Sequence, residues 1–202
     1  VFHFGVKDFS ESVDCEERPG GLLHFLVVGP VSPEKGQDLF LNAYGLLPNG
    51  VKDRFKVTFV GAISDKALGE RLLNEVSKDK NLEYKSLMPR EELIKLMAGA
   101  DGVIVCSRVE TVSSVAVEAM CLGKCVVVSD SAAISSYIED KKDGYVYETL
   151  NLDALSSVLK RLTVDGREEI VRVGLAGREI YNRYFSLSSF DKRIDEIMFG
   201  DV

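Results

Sequence analysis

Two glutamates with seven residues between them carry the clearest chemical signal in the chain. They lie in Ser107-Arg108-Val109-Glu110-Thr111-Val112-Ser113-Ser114-Val115-Ala116-Val117-Glu118-Ala119-Met120. Glu118 sits in a helix so apolar that its carboxylate is rarely left unpaired. It either meets a buried cation or accepts hydrogen bonds from a ligand's hydroxyls, and a bidentate carboxylate matches a vicinal diol such as a ribose 2′,3′ pair. Glu110 stands just before that helix starts. Hydroxyls at Thr111, Ser113 and Ser114 can cap the start, and the unladdered N–H groups there suit a phosphate. From pattern alone, a structural ion pair or a partly exposed Glu118 is equally open.

A second segment is Gly29-Pro30-Val31-Ser32-Pro33-Glu34-Lys35-Gly36. Gly29 ends a strand and lets backbone approach a ligand closely, and Lys35 is spaced to reach an anion. The run is neither G-x-G-x-x-G nor a P-loop, so ordinary dinucleotide binding and Walker-type hydrolysis lose support. The plain alternative is a tight turn with a solvated lysine. A third segment, Val128–Ile134 followed by Ile138–Tyr145, places small residues after a strand and a tight turn at Asp143-Gly144. It also reads as a simple strand–helix–turn–strand connection.

The elements that must position these residues alternate. Strand-like runs are Leu23–Val28, Lys56–Val60, Leu82–Lys85, Gly102–Cys106, Cys125–Ser129 and Tyr145–Tyr147. Several are continuously apolar, which indicates strands covered on both faces. Between and after them lie helical patterns over Gly36–Leu47, Asp65–Lys78, Arg90–Ala98, Ser113–Leu122, Ile134–Glu139, Leu152–Leu162, Glu168–Arg183 and Ser188–Met198. Start signals are Ser32-Pro33, Ser64, Pro89 with acids at Glu91 and Glu92, and Asn151. The alternation predicts an α/β domain with a doubly wound, Rossmann-like parallel sheet. Ligands of such sheets bind at the carboxyl ends of the strands. Ser10–Gly21 reads as a linker, so 1–21 is expected to be an entry segment and 22–202 the domain.

Bulk properties narrow the class. The 202 residues carry 25 Lys+Arg against 32 Asp+Glu, a net charge of −7, which disfavours backbone-type nucleic-acid binding. The most apolar region, Leu93–Val128, is interrupted by six charged residues, so it cannot span a bilayer. The start has no signal-peptide pattern, and a cytoplasmic location is expected. Val1 reads as an excision point within a longer chain. Of Cys15, Cys106, Cys121 and Cys125, three sit in apolar runs and read as small buried hydrophobes. No zinc spacing accompanies His3 and His24, and His24 lies in an apolar run as a core or edge-strand residue.

The three segments, in this order, resemble the nucleotide-sugar-binding half of GT-B glycosyltransferases, specifically retaining family 4 (glycosyl transferases group 1). The carrying motifs are Ser32–Asp38 with its Lys35-Gly36, Glu110 with Glu118-Ala119-Met120, the strand Gly123–Asp130, the turn Ile138–Gly144 and the terminal Phe185-Ser186. They span nearly all of residues 22–198, and Phe4-Gly5-Val6 resembles the family's interdomain linker.

The resemblance implies that Glu118 holds the ribose of a UDP- or GDP-linked sugar and Glu110 contacts the sugar near the reacting carbon. The amides of Thr111, Val112, Ser113 and Ser114 would cradle the diphosphate beside Gly29. Lys35 would neutralise charge on the leaving phosphate, with no metal or other cofactor required. Leu87 and Met88 would pack near the base. Polysaccharide biosynthesis is the implied setting. An N-terminal half outside this chain would hold the acceptor and make any peripheral membrane contact, so this piece by itself would transfer sugar poorly. The family's usual arginines are replaced by Pro30 and Glu34, and Arg108 is offered as the substitute cation. Three rivals stay open: a nucleotide-sugar epimerase, a degenerate non-catalytic module for assembly or regulation, and a response-regulator-like or flavodoxin-like domain.

Overall fold

The computed structural model of the chain describes residues 5–13 and 21–199. His3, Phe4 and Cys15 lie outside the described residues, as does most of the expected linker. Six strands form one parallel sheet: β1 Leu23–Val28, β2 Phe55–Val60, β3 Leu82–Lys85, β4 Gly102–Val105, β5 Cys125–Ser129 and β6 Tyr145–Tyr147. Their order is β3-β2-β1-β4-β5-β6. Connections run outward in both directions from the neighbouring β1 and β4, so a crevice opens at the carboxyl ends of those two strands.

The apolar runs are continuous because both faces are covered. Phe25, Val27, Ile104 and Val127 pack to one side with Phe40, Leu72 and Leu159. Leu26, Val103, Val105, Val126 and Val128 pack to the other with Met97, Val117, Met120 and Phe185. Neighbours along each strand alternate faces, and both faces are core. His24 belongs to β1, a central strand, and is buried with its Nε2 2.9 Å from Thr58 Oγ1. Cys106, Cys121 and Cys125 are buried and free, as expected of small hydrophobes.

The helices are α1 Gln37–Gly45, α2 Asn49–Lys52, α3 Lys66–Lys78, α4 Arg90–Ala98, α5 Ser114–Cys121, α6 Leu152–Ile180 and α7 Leu187–Phe199. Asp65, rather than Ser64, caps α3 by accepting from Leu68 N at 2.8 Å. Asn151 caps α6 by accepting from Ala154 N at 2.9 Å. The helix expected over Ile134–Glu139 is a short 3-10 turn, Ala133–Tyr137. There Ser135 donates to Asp130 O and Ser136 to Ala133 O, so local hydroxyl bonds replace a continuing ladder. The two helices expected over Leu152–Leu162 and Glu168–Arg183 form one element with a break at Gly166, where φ is 77° and ψ 175°. Beyond Ile180, residues Tyr181–Phe185 widen into a π turn. The short α2 was not anticipated.

Residues 5–13 pack against the domain. Val6 N donates to Phe185 O at 2.8 Å, Tyr181 Oη donates to Val6 O at 2.9 Å, and Arg178 pairs with Asp8 at 2.9 Å.

Gly36 links the β1 loop to α1 with φ +71°, and a Cβ there would lie 1.9 Å from the carbonyl oxygen of Cys106. Gly50, inside α2, has nothing within 4 Å of its added Cβ. Gly36→Ala is therefore expected to lose about 2–4 kcal/mol, since backbone rather than a flexible side chain must move. Gly50→Ala is expected to be neutral or to gain about 0.5 kcal/mol. Urea denaturation of both variants checks the pair of signs.

Candidate functional site

The crevice is built by the loops after β1 and β4. β1 runs into Gly29, whose φ is +143°, and β2 ends at Gly61 with φ +153°. A Cβ on Gly61 would lie 2.1 Å from Gly29 O, so the two neighbouring strand ends lie too close for a side chain. The aliphatic stem of Lys35 lies over Gly29, at 3.6 Å from where a Cβ would be. Lys35 ends a single 3-10 turn, Pro33–Lys35, which the left-handed Gly36 closes. Cys106 Sγ donates to Lys35 O at 3.2 Å from beneath.

The β4 loop is braced from the far side. Ser107 O accepts from Ser129 Oγ at 2.8 Å and from Ser131 Oγ at 3.1 Å. Ala133 N donates to Glu110 O at 3.0 Å. These bonds fix the backbone that presents Glu110. Its carboxylate accepts from Lys35 Nζ at 2.5 Å and from Ser107 Oγ at 3.4 Å. Ser113 then caps α5 by accepting from Ala116 N at 3.3 Å.

A cleft of about 170 Å³ opens between these loops. It is lined by Gly29, Pro30, Lys35, Ser107, Glu110 and the α5 start Val112–Val115, above the ends of β1 and β4. Its chemistry combines one ammonium, one carboxylate and the amino end of a helix. The first-turn amides and Lys35 attract an anion, while Glu110 accepts from hydroxyls.

The structure brings Gly29, Lys35, Glu110, Val112, Ser113 and Ser114 to this cleft. Thr111, Leu87, Met88, Arg108 and Glu118 do not line it. Leu87 is 76% exposed and stands with Met88 just before α4. Arg108 is directed to the loop before α1. It donates to Asp38 Oδ1 at 2.9 Å and Oδ2 at 2.6 Å, and also to Pro33 O. Lys35 is thus the one cation lining the cleft among the described residues. The Arg108 hydrogen bond holds the Asp38 carboxyl below its ordinary range.

Glu118 lies further along α5 and is buried, its carboxylate accepting from Arg90 Nη2 at 2.5 Å. Burial pushes its carboxyl upward, against the opposing pull of Arg90. Of the alternatives open from sequence, this structure contains the ion pair, and its cation is the largely exposed Arg90. The signal available was a basic residue at the first position of α4, where the sequence reading weighed only the following acids.

Among the described residues no cluster of three His, Cys, Asp or Glu side chains is placed to hold a metal, and no helix is long and apolar enough to cross a membrane.

A parallel Rossmann-type sheet with its polar loops gathered at the switch point defines a doubly wound α/β domain with a cleft at its strand ends. The profile of the Glycosyl transferases group 1 family matches residues 9–179, and the chain belongs to that family. The fold is of GT-B type, as the motifs implied. A glycogen synthase from Thermodesulfovibrio yellowstonii is 24% identical over 177 residues, 86% of this chain and 34% of that protein. HepE from Anabaena, solved with UDP, superposes with a TM-score of 0.77 at 18% identity, over 88% of this chain and 49% of its own. A glycosyltransferase from Rickettsia africae superposes with a TM-score of 0.75 at 19% identity, over 89% of this chain and 48% of its own. The chain thus spans about a third of the curated relative and about half of the solved structures.

Because the Asp38 carboxyl is held low in the folded state, its contribution to stability is present above the ordinary carboxylate range. That contribution is lost as pH falls through the lowered value. Asp38→Asn is expected to flatten the acid side of the stability curve below about pH 4. Denaturation midpoints measured from pH 6 downward check this; parallel wild-type and variant curves would contradict it.

Proposed function

We propose that this chain is the C-terminal, donor-binding half of a retaining family 4 glycosyltransferase that moves a sugar from a UDP- or GDP-linked donor to an acceptor. The observation that carries the reading is the Lys35–Glu110 pair, set over Gly29 at the amino end of α5. The amides of Val112 to Ser114 and the Lys35 ammonium hold the diphosphate. When the bond from the anomeric carbon to the phosphate oxygen breaks, negative charge grows on the leaving diphosphate. Lys35 stabilises that charge without a metal; its ammonium has three donors and shares them between Glu110 and phosphate.

Glu110, oriented by Lys35 and Ser107, accepts from a donor-sugar hydroxyl. Glu118 takes the ribose, and Leu87 and Met88 stand on the base side. Thr111 plays its part through the loop backbone, and Arg108 braces the Lys35 loop through its side-chain bonds to Pro33 O and Asp38, neither of them lining the cleft. The comparisons support a nucleotide-sugar donor: HepE has also been solved with UDP-glucose. The acceptor and any membrane contact belong to the part of the protein that corresponds to the other half of these neighbours.

Titration calorimetry with UDP, GDP, UDP-glucose and GDP-mannose tests the reading. At least one is expected to bind, and Lys35→Met is expected to weaken it tenfold or more, the worth of a charge-assisted bond, with an unchanged melting temperature. No heat and no thermal shift with any of them would overturn the donor site. That outcome would favour a non-catalytic module, the reading that Pro30 and Glu34 motivate. Robust transfer by the 202-residue chain without any other domain would overturn the division of labour. Isomerisation of UDP-GlcNAc by the whole protein without acceptor would indicate an epimerase.

A further inference from the structure

The contact least expected from the sequence joins three elements. Arg90 opens α4, directly after the Leu87-Met88-Pro89 loop. Its guanidinium carbon lies 5.2 Å from the centroid of the Phe9 ring. Phe9 is itself tied to α5, its N–H donating to Cys121 Sγ at 3.4 Å, three residues beyond Glu118. From that stacked position Arg90 Nη2 reaches Glu118 Oε1. The two partners differ in burial: the Arg90 side chain is 61% exposed and that of Glu118 is 5% exposed. Glu118 Oε2 makes no hydrogen bond among the described residues.

A buried carboxylate costs several kcal/mol unless compensated, and it relieves that cost by protonating or by turning out. One short bond to one oxygen offsets part of that cost and limits how the group can turn. The second oxygen keeps its lone pairs and a set direction.

We infer that Arg90 is the positioning residue for the nucleoside end of the site: stacked on Phe9, it holds Glu118 by Oε1 and leaves Oε2 to accept from a ribose hydroxyl. This rests on the donor-site reading above and adds to it a residue that lines no part of the cleft. It also joins residues 5–13 to the ribose carboxylate through one guanidinium. The segment preceding the domain therefore acts on nucleotide affinity from outside the cleft. Arginine suits the position because its planar head both stacks and donates; lysine does only the second.

The test compares UDP with 2′,3′-dideoxy-UDP, and GDP with its dideoxy analogue, by calorimetry on the chain and its variants. The unaltered chain is expected to prefer the ribonucleotide by about tenfold, the scale of one hydrogen bond to a charged group. Arg90→Met is expected to lose most of that preference by weakening the ribonucleotide while leaving the dideoxy analogue almost unchanged. Arg90→Lys recovers part of it, and Phe9→Leu falls between. A purely structural role would weaken both nucleotides together and lower the melting temperature, which would overturn the inference. So would a preference that survives Arg90→Met, or tighter ribonucleotide binding in that variant, which would make Arg90 a competitor. If Arg90→Met does not fold, Arg90→Lys and Phe9→Leu carry the same comparison. Failure of the unaltered chain to bind any nucleotide removes the donor site itself. Binding without a ribose preference removes only the Arg90–Glu118 part.

Discussion

The ion pair between Lys35 and Glu110 couples the two halves of the sheet at the place where their winding diverges. Lys35 comes from the loop after β1 and Glu110 from the loop after β4, and 75 residues separate them. For their charged ends to meet, β1 and β4 must be neighbours, both must point the same way, and the glycines at 29, 36 and 61 must let the loops approach. Many of the domain's tight backbone contacts serve that meeting. The pair is only partly buried, so its value for stability is small and screened. Its significance is chemical: it sets an ammonium and a carboxylate side by side in a crevice.

Much of the architecture was legible because parallel strands buried on both faces leave continuous apolar runs. The limits of β1, β3, β5 and β6 agree with the sequence reading residue for residue, while β2 and β4 differ by one. The division of α6 was also visible, although its cause is a break at Gly166 rather than a loop. Ile134–Glu139 misled because its apolar and small residues fit a helix, while Ser135 and Ser136 satisfy nearby carbonyls themselves.

The cleft was half legible. Gly29, Lys35, Glu110 and the start of α5 follow from local spacing along two segments. The contacts that decide what the remaining charges do are tertiary. Arg108 meets Asp38 across 70 residues, and Arg90 meets Glu118 across 28. Nothing local tells a cation bound for a carboxylate on another element from one bound for a phosphate. Arg108 was therefore weighed as a ligand-binding cation, although it serves as a brace for the loop that carries Lys35. Glu118 was read as a carboxylate that meets either a cation or a ligand's hydroxyls, and the cation it meets, Arg90, was left unnamed.

Cys106 lies directly below this crevice, fully buried, with its thiol donating to the carbonyl of Lys35 and its acidity suppressed to about 12. Cys125, in the neighbouring strand, is suppressed by burial in the same way. Thiolate is the reactive form, so at neutral pH neither sulfur offers a nucleophile to peroxide, to alkylating reagents or to electrophilic inhibitors aimed at the crevice. Cys106 thus makes the floor of the site chemically inert. Its modification by a small reagent would therefore measure how often the sheet itself opens, a native-state clock placed directly under the cleft.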